Sequence, residues 1–200
     1  MYKIYCAGPL FNRKEQEEMK EISDALEAAG FQVFLPQRDG FEFSKLSINF
    51  KEMGYSESDT NRILNKAIFA LDVFQVVSSD GLILNINGRV PDEGAMVEAG
   101  IAWNAGKDVI IYKNDSRTLI NGSDNPLLLG LSDFVVVESI TDIPASFRKL
   151  ISSSKQKNIS RIDDTRLKKI LSTGEEIAKL SGDAKDKVEI CSKLVKLFKD

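Results

Sequence analysis

The sequence predicts an α/β fold: a five-stranded parallel sheet with helices on both faces, followed by a C-terminal helical hairpin. Three observations carry that expectation. Short apolar runs alternate with stretches of helical periodicity, the pattern of parallel strands joined by crossover helices. Asparagine, glycine and proline fall at the boundaries, where helices start and strands stop. Beyond residue 152 the pattern changes to lysine-rich amphipathic stretches with no strand between them.

Lys3 to Ala7 reads as a short buried strand, stopped by Gly8-Pro9. Asn12 is an N-cap for a helix to Ala29, with Gly30 as its C′ residue; Met19, Ile22, Ala25 and Leu26 recur within it at helical spacing. Phe31 to Leu35 is the second strand, ended by Pro36. Residues 37–58 are polar and aperiodic, with Phe41, Phe43, Phe50 and Tyr55 scattered through them, which predicts an irregular functional or mobile segment. Thr60 to Val77 reads as a helix, broken by Ser78-Ser79-Asp80-Gly81. Leu82 to Ile86 is the third strand, and Asn87-Gly88 the turn after it. Pro91-Asp92 opens a helix that ends at Gly106, with Asp92 at the N-cap. Val109 to Tyr112 and Phe134 to Val137 are the fourth and fifth strands, and Pro144 to Ser152 a closing helix. Ser153 to Ser160 reads as a linker. Thr165 to Leu180 and Ala184 to Phe198 are amphipathic helices joined by Ser181-Gly182-Asp183, packed on the body or on a neighbouring subunit. The expected division is therefore a catalytic domain over residues 1–152 and an appendage over 153–200.

Composition narrows the chemistry. Apolar residues make up 42% of the 200, enough for a real core, and a net charge of −3 with mixed signs does not suit an electrostatic nucleic-acid binder. No apolar run approaches membrane-spanning length. The two cysteines, Cys6 and Cys191, are far apart and do not suggest a disulfide framework; with no signal peptide at Met1-Tyr2-Lys3-Ile4, the cytoplasm is the expected location. The chain has no histidine, which removes serine–histidine and cysteine–histidine catalysis and histidine-ligated metals. No phosphate-cradling glycine loop of the usual types is present, and no cofactor or metal is expected.

One feature stands out in the helix opened by Asp92. Between Glu93 and Lys107 the only charged side chain is Glu98. A carboxylate isolated among apolar residues either lines a thin solvent stripe or faces a ligand, because an unpaired buried charge is costly. Side chains on a helix lean toward its N-terminus, so Glu98 leans over Gly94 and Ala95, which are nearly bare. That places it over open space at the mouth of the loop, where parallel α/β sheets bind ligands.

The motifs recur in a known order. Tyr5-Cys6-Ala7-Gly8-Pro9-Leu10-Phe11, Phe34-Leu35-Pro36-Gln37-Arg38-Asp39-Gly40, Ser79-Asp80-Gly81 before an apolar strand, Pro91-Asp92-x-Gly94-x-x-x-Glu98-x-Gly100, Lys107-Asp108-Val109, Asp115-Ser116-Arg117 and Asn125-Pro126 together resemble the nucleoside 2-deoxyribosyltransferase family over residues 1–150. The resemblance implies a flavodoxin-like sheet and transfer of 2-deoxyribose between nucleobases, with retention, through a deoxyribosyl-glutamate. It implies Glu98 as nucleophile, Tyr5 as the tyrosine that orients it, Asp80 as an acidic residue near the base, and Asp92 as the ligand of the sugar 5′-hydroxyl. Gly8, Gln37 and Gly94 would line the substrate site, and Asn125 would be donated to a neighbour's site in a homo-oligomer. The expected partners are deoxyribonucleosides, free nucleobases and further copies of the chain, not a nucleic-acid polymer or a membrane. Met96 is bulkier than the family's usual residue there and would reshape the pocket.

Other readings of these residues remain open on the sequence. Tyr5 is also a core aromatic, Asp80 a turn residue, Asp92 a plain N-cap, Asn125 a turn residue before proline. The nearest rival is a hydrolase of deoxynucleoside 5′-monophosphates on the same fold. An aspartate at position 92 would repel a phosphate dianion unless Arg38, Arg89 or Arg117 compensates. A non-catalytic nucleotide-sensing module is the rival from another class, and a flavodoxin-type electron carrier a third; Gly8-Pro9-Leu10-Phe11 lacks the latter's hydroxyl-rich phosphate loop.

Overall fold

A computed structural model of the chain describes residues 1–40, 43–88, 91–116, 122–153, 165–183 and 186–198. Five parallel strands, β1 (Lys3–Ala7), β2 (Gln32–Phe34), β3 (Gly81–Asn85), β4 (Asp108–Tyr112) and β5 (Val136–Val137), stand in the order β2-β1-β3-β4-β5. The order reverses between β1 and β3. In such sheets the chain leaves the two strands in opposite directions and opens a crevice beyond their C-terminal ends.

Strand alternation builds two cores. Ile4, Cys6, Val33, Ile83, Ile110 and Tyr112 face α1 (Arg13–Ala28), which contributes Met19, Ile22 and Leu26. Tyr5, Ala7, Phe34, Leu82, Leu84, Val109 and Ile111 face the opposite way. Both faces are apolar, so the strands read as continuous hydrophobic runs. The helix limits follow from their caps. Asn12 accepts from the Glu15 N–H, and Gly30, at φ 88°, takes the left-handed turn that ends α1.

After β2 the chain is more regular than its sequence suggests. Residues 37–58 are not one irregular segment: they hold α2 (Pro36–Asp39), a 3-10 turn at Phe43–Leu46, α3 (Ser47–Glu52) and the start of α4 (Glu57–Ser78). Pieces of one or two turns are too short to display a helical period. Beyond β3 come α5 (Glu93–Asn104), α6 (Pro126–Leu129) and α7 (Ile143–Ser153), the last supplying Ile143 and Phe147 to the α1 face of the sheet. The fifth strand starts two residues later than expected. Asp133 and Phe134 have φ of 52° and 65°, a left-handed turn that cannot pair as a strand. The tail forms α8 (Thr165–Asp183) and α9 (Lys187–Phe198), and Ser181-Gly182-Asp183 is helical rather than a joint. The expected linker beyond Ser153 lies outside the described residues.

Contacts divide the chain into two units. One is Met1–Asp39 with Val76–Arg161; the other is Gly40–Gln75 with Ile162–Asp200. The expected cut at residue 152 followed the chain, whereas the contacts group the C-terminal helices with residues 40–75. The second unit has its own core, in which Phe50, Ile63, Ala67 and Leu71 meet Ile177, Ile190, Cys191 and Leu194. Gly174 is where α8 crosses α4: a Cβ there would run into the Ala70 carbonyl and the Phe74 Cβ. No helix among the described residues is long and apolar enough to cross a membrane.

Candidate active site

The helix that carries Glu98 is pinned at its start. Asp92 is extended, and its Oδ1 accepts from the Ala95 N–H at 2.7 Å, the N-cap geometry. Ala95, Ala99 and Ala102 are its buried positions, one small residue per turn, so α5 lies close on the sheet. Glu98 sits on the flank of that stripe, half-buried, and so comes within reach of the central strand.

There it meets Tyr5. The Tyr5 ring is fully buried on the α5 face of β1, and its hydroxyl donates to Glu98 Oε1 at 2.7 Å. Partners this far apart in sequence that meet across a strand–helix contact are fixed by the fold, not by local structure. A hydroxyl donating to a carboxylate makes a charge-assisted hydrogen bond that fixes which way the carboxylate oxygens point.

The loops above are tightly held. Gly8 ends β1 where a Cβ would stand 2.5 Å from Met19 Sδ and 2.9 Å from Asn85 Cβ, so no other residue fits there unchanged. Glu18 of α1 accepts from the side-chain amides of both Asn85 and Asn87, each at 2.8 Å. The Asn87 side-chain oxygen Oδ1 accepts from the Asn114 N–H, and the Asp115 carboxylate from the Gly88 N–H. This clamp holds Asn85, Asn87 and Gly88 at the end of β3. Nothing in the local pattern marks Glu18, which looks like any helical glutamate.

The remaining expected residues fall in different places. Gly94 is exposed, and a Cβ there would approach only Asp92 Oδ1, at 3.2 Å. Gln37 is tied to α1 through its amide, which donates to the Gln16 carbonyl. Asn125 is exposed and caps α6, its Oδ1 accepting from the Leu127 N–H at 2.9 Å. Asp80 is not brought to Glu98. It stands at the N-terminal end of β3, where its carboxylate accepts from the Lys3 N–H at 2.8 Å and its own N–H donates to the Lys3 carbonyl. There it fastens β3 to β1, two residues before the register pair Tyr5–Leu82. Arg38 is engaged by Glu27 and Asp39, which hold its charge, while Arg89 and Arg117 lie outside the described residues.

One carboxylate escaped the sequence reading. Asp72 on α4, in the second unit, is the only charged side chain between Lys66 and Asp80, the same signal that marked Glu98. Burial pushes its carboxyl up to about 6. Among the described residues no cluster of cysteine, aspartate and glutamate is arranged to hold a metal ion.

The family model for nucleoside 2-deoxyribosyltransferase matches residues 4–159. No curated protein sequence matches the chain. Among solved structures, a conserved protein from Enterococcus faecalis V583 is similar, with a TM-score of 0.56 and 22% identity over 75% of this chain and 99% of the other. A 2-deoxyribosyltransferase from Bacillus psychrosaccharolyticus is similar too, with a TM-score of 0.50 and 22% identity over 71% and 90%. At that identity the two structures speak for the fold.

Proposed function

Because the chain belongs to the nucleoside 2-deoxyribosyltransferase family, we propose that it moves 2-deoxyribose from one nucleobase to another by way of an ester on Glu98. The observation that carries this reading is the 2.7 Å hydrogen bond from Tyr5 to Glu98. It joins an isolated carboxylate to a buried donor beside the crevice between β1 and β3. In the first step a Glu98 oxygen attacks C1′, and the bond to the base breaks with its electron pair leaving on the base, which then takes up a proton. In the second step a nitrogen of the incoming base attacks C1′, loses its proton, and releases the carboxylate. Two inversions give net retention. A 2-deoxy sugar lacks the electron-withdrawing hydroxyl that opposes positive charge at C1′, so a site without histidine suffices.

Asp92 caps α5 through one oxygen, and we assign its carboxylate to the 5′-hydroxyl of the sugar. That favours a free nucleoside over a 5′-monophosphate, whose charge it would repel. Gly8 and Gly94 keep the two loops bare beside the substrate. The role belongs to reuse of bases and nucleosides in the cytoplasm, where buried, unpaired Cys6 and Cys191 stay reduced.

A homo-oligomer is part of the same reading. Val97, Trp103, Leu127, Phe134 and Val135 are large apolar residues left exposed on α5, α6 and the approach to β5. Surface of this kind marks a contact between subunits. Asn125, exposed beside Leu127, would complete a neighbour's site. Mixing inactive Glu98→Ala with inactive Asn125→Ala subunits should then restore part of the activity, and a monomer by sedimentation would rule the shared site out.

The direct test is incubation with deoxyinosine and cytosine, followed by chromatography. Deoxycytidine and hypoxanthine are expected. Hypoxanthine with free deoxyribose alone would mean a hydrolase, and unchanged substrate a binding protein.

A further inference from the structure

We propose that Phe34 is a positioning residue for Glu98: its ring, stacked on Tyr5, sets the direction in which the Tyr5 hydroxyl donates. This rests on Glu98 being the reacting carboxylate. Tyr5 and Phe34 are register partners across β1 and β2, so their side chains rise from the same face side by side. Their ring centroids are 5.4 Å apart and their planes 18° from parallel, an offset stack. On the other side the register partner of Tyr5 is Leu82, which is buried in the same core. The tyrosine ring is therefore flanked by neighbours from both adjoining strands. A phenol hydroxyl sits at the far end of a rigid ring, so a small rotation at the base moves it a large distance. Whatever fixes the ring plane also fixes the donor.

Phe34 is itself held. It ends a strand of three residues at the edge of the sheet, beyond which no strand pairs among the described residues. The Lys3 ammonium lies 5.6 Å from its ring centroid, a cation over an aromatic face. Lys3 and Tyr5 are two residues apart on β1 and share a face. Lys3, Phe34 and Tyr5 thus form a row that ends at Glu98. A filler of the apolar core at this position needs only volume, and leucine supplies that. A support for the tyrosine plane needs a flat ring.

The experiment compares Phe34→Leu, which keeps apolar bulk, with Phe34→Tyr, which keeps the ring, each in the wild-type and Tyr5→Phe backgrounds. The expectation is that Phe34→Leu lowers kcat about ten- to hundredfold with little change in KM, because a displaced reacting group costs rate rather than binding. Phe34→Tyr should retain most of the rate. In the Tyr5→Phe background Phe34→Leu should add no further loss. Equal losses in both backgrounds, or equal losses from leucine and tyrosine, would overturn the proposal in favour of packing alone. A second readout does not need turnover. The 13Cζ resonance of Tyr5, assigned by its disappearance in Tyr5→Phe, reports the hydrogen bond of its hydroxyl. Phe34→Leu should shift it toward the position seen in Glu98→Ala, and an unmoved resonance would refute the support role. If wild type fails to transfer deoxyribose but this shift appears, the geometry stands and the reaction assignment falls.

Discussion

Two helices of this protein each carry one charge in an apolar setting, and they end differently. On α5, Glu98 is met by the hydroxyl of a buried tyrosine from the central strand. On α4, burial raises the Asp72 carboxyl to about 6. In sequence the two look alike. The lesson is that an isolated carboxylate signals an unusual environment but not its kind. What another element brings to the charge decides whether it is met by a hydrogen-bond donor and aimed, or is left to burial and titrates near neutrality.

Glu98 carries the largest expected effect. Glu98→Gln keeps the shape and an acceptor for Tyr5 but removes the nucleophile, so transfer should fall by about 10³-fold or more with the thermal midpoint almost unchanged. Wild type with deoxyinosine and no acceptor should show one deoxyribosyl adduct by intact mass, on the peptide containing Glu98. An adduct elsewhere would move the nucleophile.

Asp72 gives the next effect, on stability rather than rate. Its carboxyl binds a proton more tightly in the folded chain than in the unfolded one, because burial penalises the charged form. The group's contribution to stability is therefore fully favourable at low pH and is lost as pH rises from about 4 to about 6. Asp72→Asn should remove that slope and, above pH 6, unfold at higher urea, by about 1–3 kcal/mol. Parallel urea midpoints for the two proteins from pH 4 to pH 7 would show that burial does not govern this group.

Much of the first unit was legible in the sequence because local chemistry dictates it. Asn12 bounds α1 through its side-chain cap and Gly30 through its left-handed backbone, and apolar strands with glycine and proline at their ends marked β1 to β4. The Tyr5–Glu98 pair was reached from a lone charge and an ordered set of motifs. What escaped the sequence was non-local or very short. Asp80 looked like a site residue, but its partner, the Lys3 backbone, is visible only when β1 and β3 are side by side. The late start of β5 depends on two left-handed residues, neither of them glycine. The pairing of residues 40–75 with the C-terminal helices has no local signature, and Gly174 is meaningful only against Ala70 and Phe74.

At the start of α5 a weaker effect is expected. Asp92 has two jobs that can be separated, since capping needs only an acceptor oxygen, whereas repelling a phosphate needs charge. Asp92→Ser keeps the acceptor for the Ala95 N–H and loses the charge. Asp92→Ala loses both, and should cost about 1 kcal/mol of stability that the serine variant retains. In both variants the ratio of kcat/KM for deoxyinosine to that for its 5′-monophosphate should fall, because the repulsion is gone. Serine should favour the phosphate more than alanine, because its hydroxyl can donate to a phosphate oxygen. If the wild-type protein already prefers the monophosphate, Asp92 does not set the choice at the 5′ position. If the ratio falls only where the cap is lost, helix integrity rather than charge is what Asp92 contributes to selectivity.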